Sequence, residues 1–141
     1  MHPEATDLPK ATTFDRSYPG EKKQVHQVRV DLAPVVAGFP AADDLILLAS
    51  ELVTNAVLHS RSGRPGEKFT VRAEVHPGHY AWLEVEDQGG GWAERDPNDD
   101  EHGRGLGILA YLAGDGNWGV EPGDTPGTRV VWARLDWPEA S

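Results

Sequence analysis

Three short stretches of this chain carry side chains whose types and spacing could do chemistry. Glu51, Asn55 and His59 recur every four residues, so on a helix turning roughly 100° per residue they form a slanting row. A carboxylate and an amide flanking an apolar stripe are costly to bury unless they bind something. Val85-Glu86-Asp87-Gln88-Gly89-Gly90-Gly91 delivers an aspartate directly into three glycines. Glycine permits positive φ and lets backbone approach a flat ligand, and the carboxylate can accept a hydrogen bond from an exocyclic amine such as that of adenine. Gly103-Arg104-Gly105-Leu106-Gly107 then opens a helical pattern, where backbone N–H groups and one guanidinium suit phosphate oxygens. Each stretch alone has an ordinary alternative: polar residues on a helix flank, an Asp-Gly turn, a glycine string.

The elements that must position these residues follow from the apolar pattern. Ala42 to Ser60 is the strongest helix, with Leu45, Leu48, Ala49, Leu52, Val53 and Ala56 forming a core-facing stripe. A shorter amphipathic helix begins at Glu21, with Val25, Val28 and Leu32 on one side, and is ended or kinked by Pro34. Ala11 to Tyr18 reads as a first strand, closed by Pro19-Gly20. Phe69, Val71, Ala73 and Val75 alternate with polar residues, as do Ala81, Leu83 and Val85, and His76-Pro77-Gly78-His79 joins the two runs as a hairpin. Arg61 to Gly66 reads as a loop. The polar stretch Gly89 to Arg104 reads as a long loop, with Trp92 to His102 as a lid. A short helix to about Ala113 and strands over Asn117–Val120 and Thr128–Leu135 complete the chain. This order predicts an α+β fold: a two-layer sandwich of a mixed, mostly antiparallel sheet with helices on one face.

At 141 residues the chain suits one domain over residues 11–138 behind a loose arm at residues 1–10. Asp+Glu 23 against Lys+Arg 13 gives a formal net charge of −10, a field that opposes nucleic acid and anionic membranes. A polyphosphate site in so acidic a chain needs local compensation, from a helix N-terminus, a metal ion or an arginine. The absence of cysteine rules out disulfides and thiolate metal sites and suits a reducing cytoplasm. Neither a signal peptide nor a membrane-spanning stretch is expected.

Taken in order, Glu51-Leu52-Val53-Thr54-Asn55-Ala56, Asp87 with Gly89 and Gly91, Gly103-Arg104-Gly105-Leu106-Gly107, and Gly127-Thr128 resemble the four ATP-site boxes of the superfamily of gyrase, heat-shock chaperone, histidine kinase and mismatch-repair ATPases (GHKL). The resemblance spans roughly residues 12–137 and is greatest to the small stand-alone branch of anti-sigma-factor serine/threonine kinases. It implies ATP and Mg²⁺ as cofactors. Glu51 would be the general base or water-orienting carboxylate, and Asn55 the Mg²⁺ ligand. Asp87 would read the adenine amine with Thr128 nearby, Gly89 and Gly91 would give the base room, and Gly103, Arg104, Gly105, Leu106 and Gly107 would bind phosphates. The same resemblance implies a homodimer that holds a sigma factor and phosphorylates an antagonist protein. The charge and cysteine content lead us to expect a cytoplasmic protein with no nucleic-acid or membrane partner. In one departure from the family pattern, Leu58 stands where many relatives carry arginine.

Other readings are weaker. Asp96, Asn98 and Asp100 begin like an EF-hand calcium loop, but its sixth and twelfth positions are Glu101 and Gly107 rather than glycine and glutamate. The glycines of Gly103 to Gly107 space as GxGxG and follow a loop, not the strand that a dinucleotide-binding oxidoreductase requires. His26 reads as a surface helix residue, and the five tryptophans as core and interface anchors. The main functional alternative to a kinase is an ATP-gated protein-binding module with little or no catalysis.

Overall fold

A computed structural model of the chain describes residues 10–89, 109, 111–114 and 116–138. Strand β1 (Thr12–Pro19) leads to helix α1 (Gln24–Val36) and helix α2 (Ala42–His59), which a 3₁₀ turn (Arg61–Gly63) closes. Strands β2 (Lys68–His76) and β3 (Tyr80–Asp87) follow, and then β4 (Trp118–Pro122) and β5 (Arg129–Asp136). Leu109 and Tyr111 to Ala113 are helical between β3 and β4. The arm at residues 1–9, the lid Trp92 to His102 and the run Gly103 to Gly107 lie outside the described residues.

The sheet order is β1-β2-β3-β5-β4, and every ladder among the described residues is antiparallel. The parallel pairing that a mixed sheet would contain is therefore absent from the described part. The chain leaves β3 and returns in β4, two places away, with β5 filling the gap. β3 and β4 run in the same direction but never pair. This α+β architecture is the two-layer arrangement that the element order predicts.

Alternation within the strands decides which face is covered. Phe69, Val71, Ala73, Val75, Ala81, Leu83, Val85, Val131, Ala133 and Leu135 point to one face and join the core. From the other layer come Val28, Leu32 and Val36 of α1 and the complete expected stripe of α2. Side chains such as Phe69 and Leu48 are fully buried, each contributing about 1.5–3 kcal/mol. Among the described residues no helix is long and apolar enough to cross a membrane.

Boundaries shift where backbone chemistry intervenes. Helix α1 starts at Gln24 rather than Glu21, because Glu21 to Gln24 forms a turn with Gln24 N–H donating to the Glu21 carbonyl at 2.9 Å. It runs through Pro34 to Val36. Proline removes one hydrogen bond there, yet the helix continues to the buried Val36. The tryptophans divide: Trp118 and Trp137 pack against the core edge, whereas Trp82 and Trp132 stack on the opposite face of the sheet with centroids 4.7 Å apart. His26 is exposed on α1.

One polar node fixes β1 to α1. Asp31 accepts from Tyr18 Oη at 2.8 Å, Arg16 Nη1 at 2.9 Å and Gln27 Nε2 at 2.8 Å. The Tyr18 hydroxyl is the largest influence holding the Asp31 carboxyl below the usual range, with Gln27 and Arg16 adding to it against the opposing effect of burial. Its folded pKa lies below its unfolded one, so the node stabilises above about pH 4 and loses that contribution as pH falls through the folded value. We expect Tyr18→Phe to cost about 1–3 kcal/mol at pH 7 by urea unfolding. The difference from wild type should narrow as pH falls through the depressed folded value and the Asp31 carboxylate is protonated.

Candidate functional site

The site is built where the C-terminal end of α2 meets the end of β3. Asn55 belongs to the buried surface of α2, 5% exposed, and Glu51 one turn earlier is half-buried. The Nδ2 group of Asn55 is buried and finds no hydrogen-bond partner among the described residues. An unsatisfied buried N–H donor costs about 1–3 kcal/mol and calls for an acceptor, such as water or a ligand oxygen. The side-chain oxygens of Asn55 and Glu51 are the chemistry that would suit a hard divalent cation, which the unpaired Nδ2 donor itself cannot ligate. His59, half-buried, completes the row.

Beyond His59 the chain does not wander as a loop; it forms the 3₁₀ turn. Ser60 Oγ donates to the Ala56 carbonyl at 2.6 Å and accepts from Ser62 N–H at 3.0 Å. This turn grips the segment after β3. Arg61 N–H donates to the Gly89 carbonyl at 2.9 Å, and Gln88 N–H donates to Ser62 Oγ, also at 2.9 Å. Ser62 is fully buried. These are positioning residues that periodicity could not reveal. The only hint in the sequence is the serine and glycine content of Ser60-Arg61-Ser62-Gly63.

Asp87 ends β3 on the helix-covered face, 1% exposed. Its Oδ1 accepts from Gly89 N–H at 2.7 Å and lies 3.6 Å from Arg129 Nη2. Gly89 has φ 73°, and a Cβ there would collide with the Gly127 carbonyl oxygen. Glycine at this position is thus required by the protein's own backbone, before any ligand needs room. A cavity of about 360 Å³ lies beyond Gly89, lined by Gly89, Gly127, Thr128, Arg129 and the end of β4, and neither Asp87 nor Asn55 nor Glu51 lines it. A larger one, about 780 Å³, lies between Tyr18–Glu21 and Gly63–Lys68 and includes none of the residues singled out by the sequence.

Thr128 does not join Asp87. Asp87 and Arg129 are register partners on β3 and β5, so alternation sends the neighbouring Thr128 to the other face. There its hydroxyl lies 2.8 Å from Glu86 Oε2 and 2.6 Å from the Thr125 carbonyl. Arg129, which sequence reasoning passed over, takes the place beside Asp87. Gly91, Gly103, Arg104, Gly105, Leu106 and Gly107 lie outside the described residues. Leu109, just beyond them, is fully buried in the core.

Glu86 anchors the outer side of the same strand end. Burial raises its pKa, but the Thr128 hydroxyl and Arg72, whose Nη2 is 2.8 Å away, together outweigh burial and hold it below the usual value. A depressed folded pKa means the contribution is complete above the unfolded value of about 4.3 and disappears as pH falls through the folded one. Glu86→Gln should therefore lose about 1–3 kcal/mol at pH 7, measured by urea unfolding. The loss should shrink as the pH is taken from about 5 to 3.

Residues 18–133 match the family model described as the histidine kinase-like ATPase domain. A search of curated proteins finds no match to the chain. With the matched span covering the sheet from Tyr18 to Ala133 and every described residue of the site, the chain belongs to the histidine kinase-like ATPase domain family.

Proposed function

We propose that this protein binds ATP with Mg²⁺ and is a regulatory serine/threonine kinase. It would phosphorylate an antagonist protein and sequester a sigma factor as a homodimer. The single observation that carries the nucleotide reading is Asn55: a buried amide whose Nδ2, unsatisfied among the described residues, calls for an acceptor such as a phosphate oxygen, one turn from Glu51. Family membership supplies the ATP reading, and resemblance of the ordered motifs to the anti-sigma branch supplies the rest.

In this reading each residue has a task that its position permits. Asp87 accepts a hydrogen bond from the adenine 6-amino group, its carboxylate already oriented by Gly89 N–H. Asn55 offers its side-chain oxygen to Mg²⁺, which would supply the positive charge that phosphates require in a chain of net charge −10. Glu51, half-buried one turn away, accepts the proton of the serine or threonine hydroxyl as it attacks the terminal phosphate. Arg104 and the adjoining glycines would hold the phosphates.

The experiment is calorimetric titration with ATP, with and without Mg²⁺, followed by labelled phosphate transfer to a co-encoded antagonist domain. Wild type should bind in a Mg²⁺-dependent manner. Asn55→Ala should lose that Mg²⁺ dependence while folding at least as stably as wild type, because it removes an unsatisfied buried donor. Glu51→Ala should keep ATP affinity within about threefold and lose transfer by about 100-fold or more, the scale of a general base. Absence of ATP binding by wild type would sink the whole reading. Tight ATP binding without transfer to the antagonist would make the protein an ATP-gated binding module instead.

A further inference from the structure

We propose that Arg129 is a positioning residue for base recognition. It holds the Asp87 side chain as an ionised, acceptor-only carboxylate and so selects purines with a 6-amino group over those with a 6-oxo group. The inference rests on the ATP reading above and goes beyond it by naming what fixes the choice of base.

Arg129 and Asp87 are Cα partners at the last rung of the β3–β5 ladder. Their side chains share the helix-covered face, with Nη2 and Oδ1 separated by 3.6 Å and side-chain exposures of 15% and 2%. That separation is an ion pair rather than a hydrogen bond. Oδ1 already receives the Gly89 N–H, so one oxygen of the carboxylate is pinned from two sides. The cavity beyond Gly89 is lined by Gly89 and Arg129 but not by Asp87, which is 1% exposed.

Charge makes the difference. A carboxyl group as buried as Asp87 is driven toward its neutral form unless a cation compensates. When neutral it carries an O–H donor; when ionised it can only accept. An adenine edge presents an amine donor at C6, matching the ionised form. A hypoxanthine edge presents a carbonyl acceptor there, which the ionised form repels and the protonated form would bind. The guanidinium is suited to this task because it keeps its proton in ordinary protein environments. Burial does press its pKa downward, but the Asp87 carboxylate opposes that pressure. A purely structural ion pair would hold β5 to β3 equally well yet have no effect on which base is bound.

Base selectivity is therefore the test. Competition calorimetry with ATP and inosine triphosphate, both with Mg²⁺, would compare wild type with Arg129→Met, Arg129→Lys and Asp87→Asn. Wild type should prefer ATP by about 100-fold or more, as expected of a site that hydrogen-bonds a substrate amine. Arg129→Met should reduce that ratio below about tenfold, and Arg129→Lys, which restores a positive charge, should keep it within about threefold of wild type. An unchanged ratio in Arg129→Met overturns the proposal. If that variant fails to fold, loss of the ratio in a folded Arg129→Lys overturns it, and retention of the ratio supports it. Failure of the underlying reading looks different: wild type binds neither nucleotide, or Asp87→Asn binds ATP as tightly as wild type, and either result removes the role of Arg129 as well.

Discussion

The grip of the Arg61–Gly63 turn on the end of β3 is the constraint on which the rest of the site depends. It adds directional hydrogen bonds to the packing of apolar side chains between α2 and β3. The two hydrogen bonds from this turn region, Arg61 N–H to the Gly89 carbonyl and Ser62 Oγ from Gln88 N–H, fix how far along the strand the helix sits. That setting decides where Asn55 and Glu51 stand relative to Asp87. The turn itself has almost no tolerance: a Cβ on Gly63 would collide with the Val57 carbonyl, and one on Gly20 with the Ser62 carbonyl. Local geometry of this kind transmits precision that hydrophobic burial alone cannot supply.

Around that grip, the end of β3 separates two kinds of polar chemistry on its two faces. Inward, Asp87 meets Arg129 in a setting where almost all water is excluded. Outward, Glu86 meets Thr128 and Arg72, and Arg72 also bonds Glu84 at 3.0 Å. The inward pair carries the greater penalty when broken, because removing one partner strands a buried charge. Asp87→Asn strands the Arg129 charge as Asp87→Ala does, but it keeps an acceptor for Gly89 N–H and so disturbs the turn less. The outward network is half-exposed, so its individual ion pairs are worth less. It nevertheless ties the Thr125–Thr128 turn to the middle of the sheet and so holds β5 in register at the site.

Stability and function pull in opposite directions at Asn55. The amide occupies a position on the buried surface of α2 where an apolar residue would contribute more, and its Nδ2 lacks a partner among the described residues. Packing by its neighbours Leu48, Leu52, Val53 and Ala56, all nearly inaccessible to solvent, compensates for it. The helix can therefore present a poorly solvated amide without losing its place against the sheet.

The sequence by itself determined the main helices and strands and the apolar face of each. The stripe of α2 is buried residue for residue, and the hairpin at His76 to His79 joins antiparallel neighbours. Both follow from periods of 3.6 and 2 that are written into the local order of residues. The ordered motifs also sufficed to point to the ATPase family, because each lies within a few consecutive residues. Tertiary structure alone decided what stands beside what. Insertion of β5 between β3 and β4 is a pairing across some forty residues that no local period encodes. That insertion brings Arg129 to Asp87 and turns Thr128 toward Glu86, since one step along a strand reverses the side chain's face. Likewise, Arg61 and Ser62 look like ordinary loop residues until α2 is laid on the sheet. Only then do Gln88 and Gly89 come within hydrogen-bonding reach, making the turn the fixed point of the site.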